Sequence, residues 1–308
     1  MPTQGDSLIL LLPEARRFAG QPLSAEIARR LGRADRLPQA DTGERAQLLR
    51  YFQIQPRGWP MAAITRAADR GDAELSAWLR ADPAYVRADM GSVRLLASGE
   101  LGLTEDEVES FLKPLRPVFG DVGFPISAGA PSRWYLTLPR EAKIPDFAAP
   151  SEAIGSDVFA AMPEGADGKR WRALLNEAQI VLHNHPRNQQ RIAAGLLPVN
   201  SLWFWGGGML PDHVRCSANS VQSDDFEVQA LCRLAGISAA VADAGDRIVD
   251  CRRERSWPTI EAGRLAEGLL QLGRRYARLA LDFADGTRFV VEPRQRWRWF
   301  RRPIRNLA

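Results

Sequence analysis

Residues 182–208 read LHNHPRNQQRIAAGLLPVNSLWFWGGG, and this span decides how the second half of the chain folds. Upstream, in KRWRALLNEAQIVLHNH (169–185), Trp171, Leu174, Leu175, Ala178, Val181 and Leu182 recur at helical spacing. Arg172, Asn176, Gln179 and His183 fall on the opposite, polar face, so the stretch predicts an amphipathic helix. Pro186 ends that helix and suits the first position of a second one, RNQQRIAA, which Gly195 closes. SLWFW (201–205) then reads as a buried strand running into Gly206, Gly207 and Gly208.

The polar residues of this span suggest a site. Asn188 and Arg191 lie three apart at a helix start and face the same way, close to His185. Helix starts carry free N–H groups and partial positive charge, which suits an anion. A glycine run after a strand lets backbone amides approach a phosphate closely. His185, Asn188, Arg191 and the three glycines therefore form a candidate anion cradle. The alternative is structural. His185 continues an apolar face, Asn200 can bond a turn backbone, Arg191 can pair with an acid, and Trp203 and Trp205 sit among apolar neighbours as packing residues. Spacing leaves the two readings level. A zinc reading over His183, His185, His213 and Cys216, with Asp212, Asp224 and Asp225 beside them, is weaker, because His183 and His185 point to different sides of a helix.

The rest of the chain is that of a soluble globular protein: 308 residues, 45% hydrophobic and 25% charged, with a net charge of +4. The positive charge is almost all arginine, the lysines being Lys113, Lys143 and Lys169. Arginine grips carboxylates and phosphates bidentately, so an anionic ligand is permitted. Cys216, Cys232 and Cys251 are scattered and read as reduced thiols. No apolar run reaches bilayer length, and LILLL near the N-terminus lacks a signal peptide's positive flank. The expected location is the cytoplasm, with no membrane partner.

SLILLL (7–12) reads as a buried strand of a parallel sheet. PLSAEIARRL (22–31) suggests a helix capped by Ser24. Thr104 and Glu107 in TEDEVESFLKPL form a capping box before the apolar stripe Val108, Phe111, Leu112 and Leu115. SRWYLTLP predicts a strand from 133 to 138, and ISAAVADA (237–244) another. RLALDFADGTRFVVEP predicts a hairpin turning at Asp285-Gly286. In EPRQRWRWFRRPIRN, arginines at 294, 296, 298, 301, 302 and 305 alternate with Trp297, Trp299 and Phe300. Such mixing suits nucleic acid. An edge strand with its aromatics docked on the core is preferred, so nucleic acid is not an expected partner.

The span HNHPRNQQRIAAGLLPVNSLWFWGGG resembles a signature of the archaeal-type, cofactor-independent phosphoglycerate mutases of the alkaline phosphatase superfamily. There a His-Pro-x-Asn-x-x-Arg segment precedes Gly-x-x-Pro-Ala-Asn-x-x-Trp-x-Trp-Gly-x-Gly. His185, Pro186, Asn188, Arg191, Gly195, Pro198, Asn200, Trp203, Trp205, Gly206 and Gly208 match, and Val199 replaces the alanine. WLRADPAYVRADMGS, LTEDEVESFLKPL and SRWYLTLP resemble that family's smaller substrate domain more loosely. The resemblance covers roughly residues 75 to 240.

It implies an α/β fold: a trimmed alkaline-phosphatase-like core with a mainly parallel sheet (1–75 and 150–308), plus a smaller α+β domain (76–149). It also implies a serine nucleophile beside two divalent metals held by Asp and His. The chain departs from that chemistry. Pro13, Glu14 and Ala15 stand where a metal-binding aspartate belongs, and no histidine follows His213. A two-metal site needs several carboxylates and imidazoles converging on both ions. The expectation is therefore a pseudoenzyme with no cofactor, manganese or zinc entering only if it is an active mutase or phosphatase. What the resemblance implies to survive is a pocket for a phosphorylated small molecule. It would use Arg191, Arg80 and Arg133 as anion clamps, Asn188 and Asn200 as hydrogen-bonding partners, His185 as orienter, and Trp205 with Gly206–Gly208 as its wall. A regulatory role with a protein partner would follow.

Overall fold

A computed structural model describes residues 5–89, 91–237 and 244–307, the side chains of Ala166 and Asp167 aside. The chain divides into two compact units, Met1–Gln55 with His213–Ala308, and Pro56–Asp212. The first unit begins with β1 (Ser7–Leu12), α1 (Ala25–Arg33), β2 (Asp35–Arg36), α2 (Glu44–Leu49) and β3 (Phe52–Gln55). The second unit follows: α3 (Met61–Arg70), β4 (Ala77–Asp89), β5 (Ser92–Ser98), α4 (Glu105–Gly120), β6 (Ile126–Ala130), β7 (Arg133–Leu138), α5 (Pro150–Ala153), α6 (Gly165–His183), α7 (Pro186–Ala193) and β8 (Ser201–Gly208). The chain then returns to the first unit through β9 (His213–Cys216), β10 (Ser220–Gln222), α8 (Phe226–Leu234), β11 (Arg247–Asp250), α9 (Trp257–Ile260), α10 (Ala266–Gln271), β12 (Arg278–Phe283) and β13 (Arg288–Val291).

In the first unit the strand order is β10-β11-β1-β12-β13-β2. β1 lies between β11 and β12, parallel to both, and β10 is parallel to β11. Among the described strands of this sheet, only the β12–β13–β2 edge is antiparallel, and β3 and β9 form a separate antiparallel pair. A strand paired on both sides and covered on both faces has no polar surface to offer, which is why LILLL is continuous rather than alternating. Leu10, Leu11 and Leu12 are fully buried. α1 forms as the sequence predicts: the Ser24 hydroxyl accepts the Ile27 N–H at 3.3 Å, and Ile27 and Leu31 join the core around Trp257 and Phe283. The predicted hairpin is β12–β13, with Gly286 at φ +83°, a conformation that favours glycine.

In the second unit the sheet runs β5-β4-β7-β6, and β8 pairs with β4 antiparallel. The Thr104–Glu107 capping box starts α4, whose Val108, Phe111, Leu112 and Leu115 are buried. α6 and α7 match the predicted helices, and His185 is the N-cap of α7. Because β8 pairs along β4 and α3 packs on both strands, residues 56–75 and 150–212 go with this sheet. The junctions expected at 75/76 and 149/150 thus fall inside the second unit. Among the described residues no helix is long and apolar enough to cross a membrane.

Two expectations need revision, and a third lies beyond what is described. The 237–244 strand falls largely on residues 238–243, outside the described residues. Gly206–Gly208 are not a loop after the strand but the last three residues of β8 itself. Glycine is needed there for close packing: a Cβ on Gly207 would lie 2.4 Å from Ile144 Cγ2, and one on Gly208 2.7 Å from Pro60 Cβ. The C-terminal segment is no edge strand with docked aromatics. Pro293–Trp297 is a 3-10 turn, and Trp297, Trp299 and Phe300 are 70%, 77% and 70% exposed. If Gly207 serves packing, Gly207→Ala should cost about 1–3 kcal/mol of stability, as overpacking does. An unchanged denaturation midpoint would refute that role.

Candidate functional site

In an open α/β sheet, ligands bind outside the carboxyl ends of the parallel strands. In the first unit those ends carry a cluster of acids. Asp250 closes β11, Ser223 and Asp225 follow β10, Glu44 opens α2, and Asp282 lies near the end of β12. Three of these acids share one cation, Arg252, and Asp282 has Arg50. The Arg252 guanidinium, 5% exposed, donates to Asp250 through Nε (2.9 Å) and Nη2 (2.8 Å) and to Glu44 through Nη1 (3.1 Å). Its Nη2 also stands 3.5 Å from Asp225. Ser223 Oγ donates to Asp250 at 2.7 Å and accepts the Asp225 N–H at 3.0 Å. At the next strand, Arg50 and the Tyr51 hydroxyl both donate to Asp282. Gln47 Nε2 bridges the Leu12 and Asp282 carbonyls at 3.0 and 2.6 Å. The strand ends are thus closed by side chains from α2 and by Arg252.

The electrostatics follow from burial and from this one guanidinium. Burial opposes the charge on Arg252, but Asp250, Asp225 and Glu44 together hold its pKa above the ordinary value. Burial also works against Asp250, yet the Arg252 hydrogen bonds and charge keep that carboxyl below its usual range. Burial pushes Glu44 up, with Arg252 only partly opposing. Asp225, further from Arg252, is pushed up to about 7 by burial and by the charge and hydrogen bond of Glu227.

These donors do not fit the two-metal site that the resemblance implies. Three carboxylates converge on an arginine, not on open space, and none of these donors is an imidazole. Among the described residues no group of three or more His, Cys, Asp or Glu side chains is arranged to hold a metal ion. The zinc reading has no geometric support either: both ring nitrogens of His185 are engaged within the chain, with the Ser110 carbonyl and the Arg187 N–H.

The residues singled out for the anion pocket all lie in the second unit, and the structure places most of them in two networks. In the first, Arg191 is 1% exposed and donates to both Glu107 oxygens at 2.9 Å, to the Leu197 carbonyl at 2.8 Å and to the Leu101 carbonyl at 2.6 Å. It therefore clamps the Glu107 carboxylate of the α4 capping box. Asn188 donates to the Leu182 and Val199 carbonyls and accepts the Val199 N–H, all at 2.8 Å. His185 sits on Phe111, ring centroids 4.5 Å apart, and reaches the Ser110 carbonyl at 3.0 Å. Asn200 accepts the Val86 N–H (2.9 Å) and donates to the Val86 carbonyl (2.8 Å), acting as one more rung between β8 and β4.

The second network gathers Arg80, Trp205 and Arg133. Arg80, 3% exposed, forms a bidentate pair with Asp82 at 2.8 and 2.9 Å, and Trp205 Nε1 donates to the same carboxylate at 2.7 Å. Residues two apart on a strand share a face, which is what lets Arg80 meet Asp82. Arg133 makes the same bidentate contact with Asp69 at 2.9 and 2.7 Å, joined by the Tyr135 hydroxyl at 2.6 Å. Tyr135 links the pairs, its ring lying 5.4 Å from the Arg80 guanidinium carbon. Gly206–Gly208 contribute to neither network. The three arginines expected as anion clamps are therefore paired with carboxylates of their own chain. Of the strand-end acids the sequence singles out only Asp225, and that in the zinc reading, because a carboxylate closing a short strand, as in RIVD, carries no local pattern.

Removing Arg252 would leave the buried Asp250 carboxylate without its cation, although Asp225 would keep Arg253 at 3.5 Å. Arg252→Met should destabilise the protein by ~3–5 kcal/mol in chemical denaturation, and adding Asp250→Asn should recover part of that loss. Asp225 gives a pH signature. Its folded pKa is raised, so the folded state binds more protons than the unfolded state between about 4 and about 7. Its contribution is full below about pH 4 and is lost as pH rises to about 7, whereas that of Asp250 is lost only in more acid solution. Asp225→Asn keeps an N-cap for α8. Across that window the melting temperature of the natural protein should fall relative to the variant, and parallel curves would contradict the assignment.

No family model matches the chain. It is 25% identical over 189 residues to a probable 2,3-bisphosphoglycerate-independent phosphoglycerate mutase of Geobacter sulfurreducens, covering 59% of this chain and 47% of that protein. It is 36% identical over 62 residues to the 2,3-bisphosphoglycerate-independent phosphoglycerate mutase of Methanosarcina mazei, covering 20% of this chain and 16% of that protein. The chain thus spans less than half the length of either relative. Among solved structures, the cofactor-independent phosphoglycerate mutase of Thermoplasma acidophilum aligns over 92% of this chain and 89% of its own, with 17% identity and a TM-score of 0.41. A Pyrococcus horikoshii protein aligns over 95% and 88%, with 11% identity and a TM-score of 0.47. By its sequence the chain is a divergent relative of the 2,3-bisphosphoglycerate-independent phosphoglycerate mutases.

Proposed function

We propose that this phosphoglycerate mutase-related protein does not carry out two-metal phosphoryl transfer and acts by binding, in a regulatory capacity. The observation that carries this reading is the Arg252 guanidinium among Asp250, Asp225 and Glu44. Metal-assisted transfer needs carboxylates free to hold divalent ions. Here a monovalent cation built into the chain takes their charge, and its planar N–H groups satisfy their lone pairs. Manganese or zinc would have to expel a buried, bidentate arginine. The neighbouring Ser223 hydroxyl donates to Asp250 and accepts the Asp225 N–H, and no imidazole is among these partners to take the proton from an attacking oxygen. Arg80, Arg133 and Arg191 also have carboxylate partners, so the surviving sequence signature is accounted for by the stability of the second unit. The phosphorylated ligand inferred from it is not carried into this reading.

The test is turnover. The purified chain, supplied with 3-phosphoglycerate or p-nitrophenyl phosphate and with manganese, cobalt or zinc, should give no rate above the protein-free control. A metal-dependent rate that Asp250→Asn abolishes would overturn the proposal and restore the enzyme reading.

A further inference from the structure

The C-terminal segment of the first unit is an anchored arm that turns aromatic rings to solvent. Its anchors recur every third residue. Gln295 donates to the Val290 carbonyl (3.0 Å) and Asp35 (3.1 Å), and Arg298 to Asp35 and the Arg33 carbonyl (3.1 Å). Arg301 donates to the Ala34 carbonyl, and the Ile304 N–H to the Ala28 carbonyl, both at 3.0 Å. Ile304 and Leu307 also pack on the core. The residues between the anchors point outward: Trp297, Trp299 and Phe300 are at least 70% exposed, and Arg296, Arg302 and Arg305 are exposed with them. Soluble surfaces seldom present three large aromatics within four residues, and such a patch marks a binding surface.

The arm's own charge is one-sided. No acidic residue follows Glu292. Arg29, Arg30 and Arg33 of α1 line a cavity of about 420 Å³ with Arg296, against Glu26 and Glu292. Arg33 Nε is buried there without a hydrogen-bond partner. Such a surface suits a polyanion, and the rings narrow the choice. The Arg296 guanidinium carbon stands 5.0 Å over the Trp297 ring, so inserting that ring into lipid would drag a charge with it. The arm forms no helix past Trp297 and so has no continuous apolar face to lay on a bilayer. Trp299 and Phe300 lie 6.4 Å apart at 78°, each offering a separate face. Separate faces flanked by guanidinium groups suit bases that stack while their phosphates are paired.

We propose that the arm 294–305 and the arginines of α1 bind single-stranded nucleic acid, through stacking on Trp297, Trp299 and Phe300 and phosphate contacts from Arg296, Arg302, Arg305 and Arg29. This site is independent of whether the strand-end carboxylates support turnover. It reverses the sequence-based preference for a packed edge strand because the rings are not packed.

Deleting the arm would strip Ile304 and Leu307 from the core, so the test uses point substitutions at exposed positions. A fluorescent oligo(dT) of about 20 nucleotides, longer than the ~4–16 nucleotides of common single-strand sites, is titrated with the full chain and read by anisotropy and tryptophan quenching. Binding should weaken with salt, log K against log[salt] falling with a slope of about −2 to −3 for three or four phosphate contacts. Trp297→Ala/Trp299→Ala/Phe300→Ala should weaken binding at least ~10-fold, the effect of losing one or more stacked bases, with the slope retained. Arg302→Gln/Arg305→Gln should flatten the slope by about 1.4. The proposal is overturned by no binding at low salt, by full affinity in the aromatic variant, by equal binding to polyglutamate, or by retention on phosphatidylserine vesicles without oligonucleotide binding.

Discussion

The guanidinium–carboxylate pair is the contact on which both halves of this molecule depend. Arg252 with Asp250, Arg50 with Asp282, Arg80 with Asp82, Arg133 with Asp69 and Arg191 with Glu107 are each bidentate or multiply bonded, and each places at least one partner in the interior. A buried charge is tolerable only when it is paired and its remaining donors or acceptors are met. Arginine meets that condition well, since its planar fork offers five donors in fixed directions. The same chemistry that would make an arginine an anion clamp makes it a structural tie when an acid lies within reach. Arg191 illustrates the choice. It spends its donors on the Glu107 carboxylate and on two loop carbonyls, and so joins the start of α4 to the loop after α7.

Much of the fold is legible in local sequence because local physics decides it. The continuous apolar run of β1, the Ser24 cap, the Thr104–Glu107 box and the Asp285-Gly286 turn are each fixed by a handful of neighbouring residues, and each appears where its pattern lies. What escaped notice depends on partners far along the chain. Nothing within a few residues of Arg252 tells that Glu44 will meet it, or that Asp82 will claim Arg80 before a ligand can. The glycines are the sharper case. Gly206–Gly208 after a strand look like room for a phosphate, yet the room is taken by Pro60 and Ile144. The division into units is hidden from local sequence for the same reason, since β8 joins β4 across more than a hundred residues.

The family signature and the family chemistry therefore need not travel together. His185, Asn188, Arg191, Asn200 and Trp205 are all accounted for by hydrogen bonds within the second unit, so selection for that fold alone would preserve them. The catalytic implication of the resemblance falls instead on the strand ends of the first unit, which carry no residue of that signature.

The pairing of β3 with β9, Gln55 opposite His213, means that everything from Pro56 to Asp212 enters and leaves across one rung of a two-stranded ladder. Its own strands all pair within that interval, whereas Leu8 must wait for Arg247 and Leu279 to complete its sheet. During synthesis the inserted unit can therefore finish while the ribosome is still making the rest. The N-terminal strand remains an unpaired apolar segment until the last part of the chain emerges, and holding it harmless through that delay is a task for chaperones or for transient local structure.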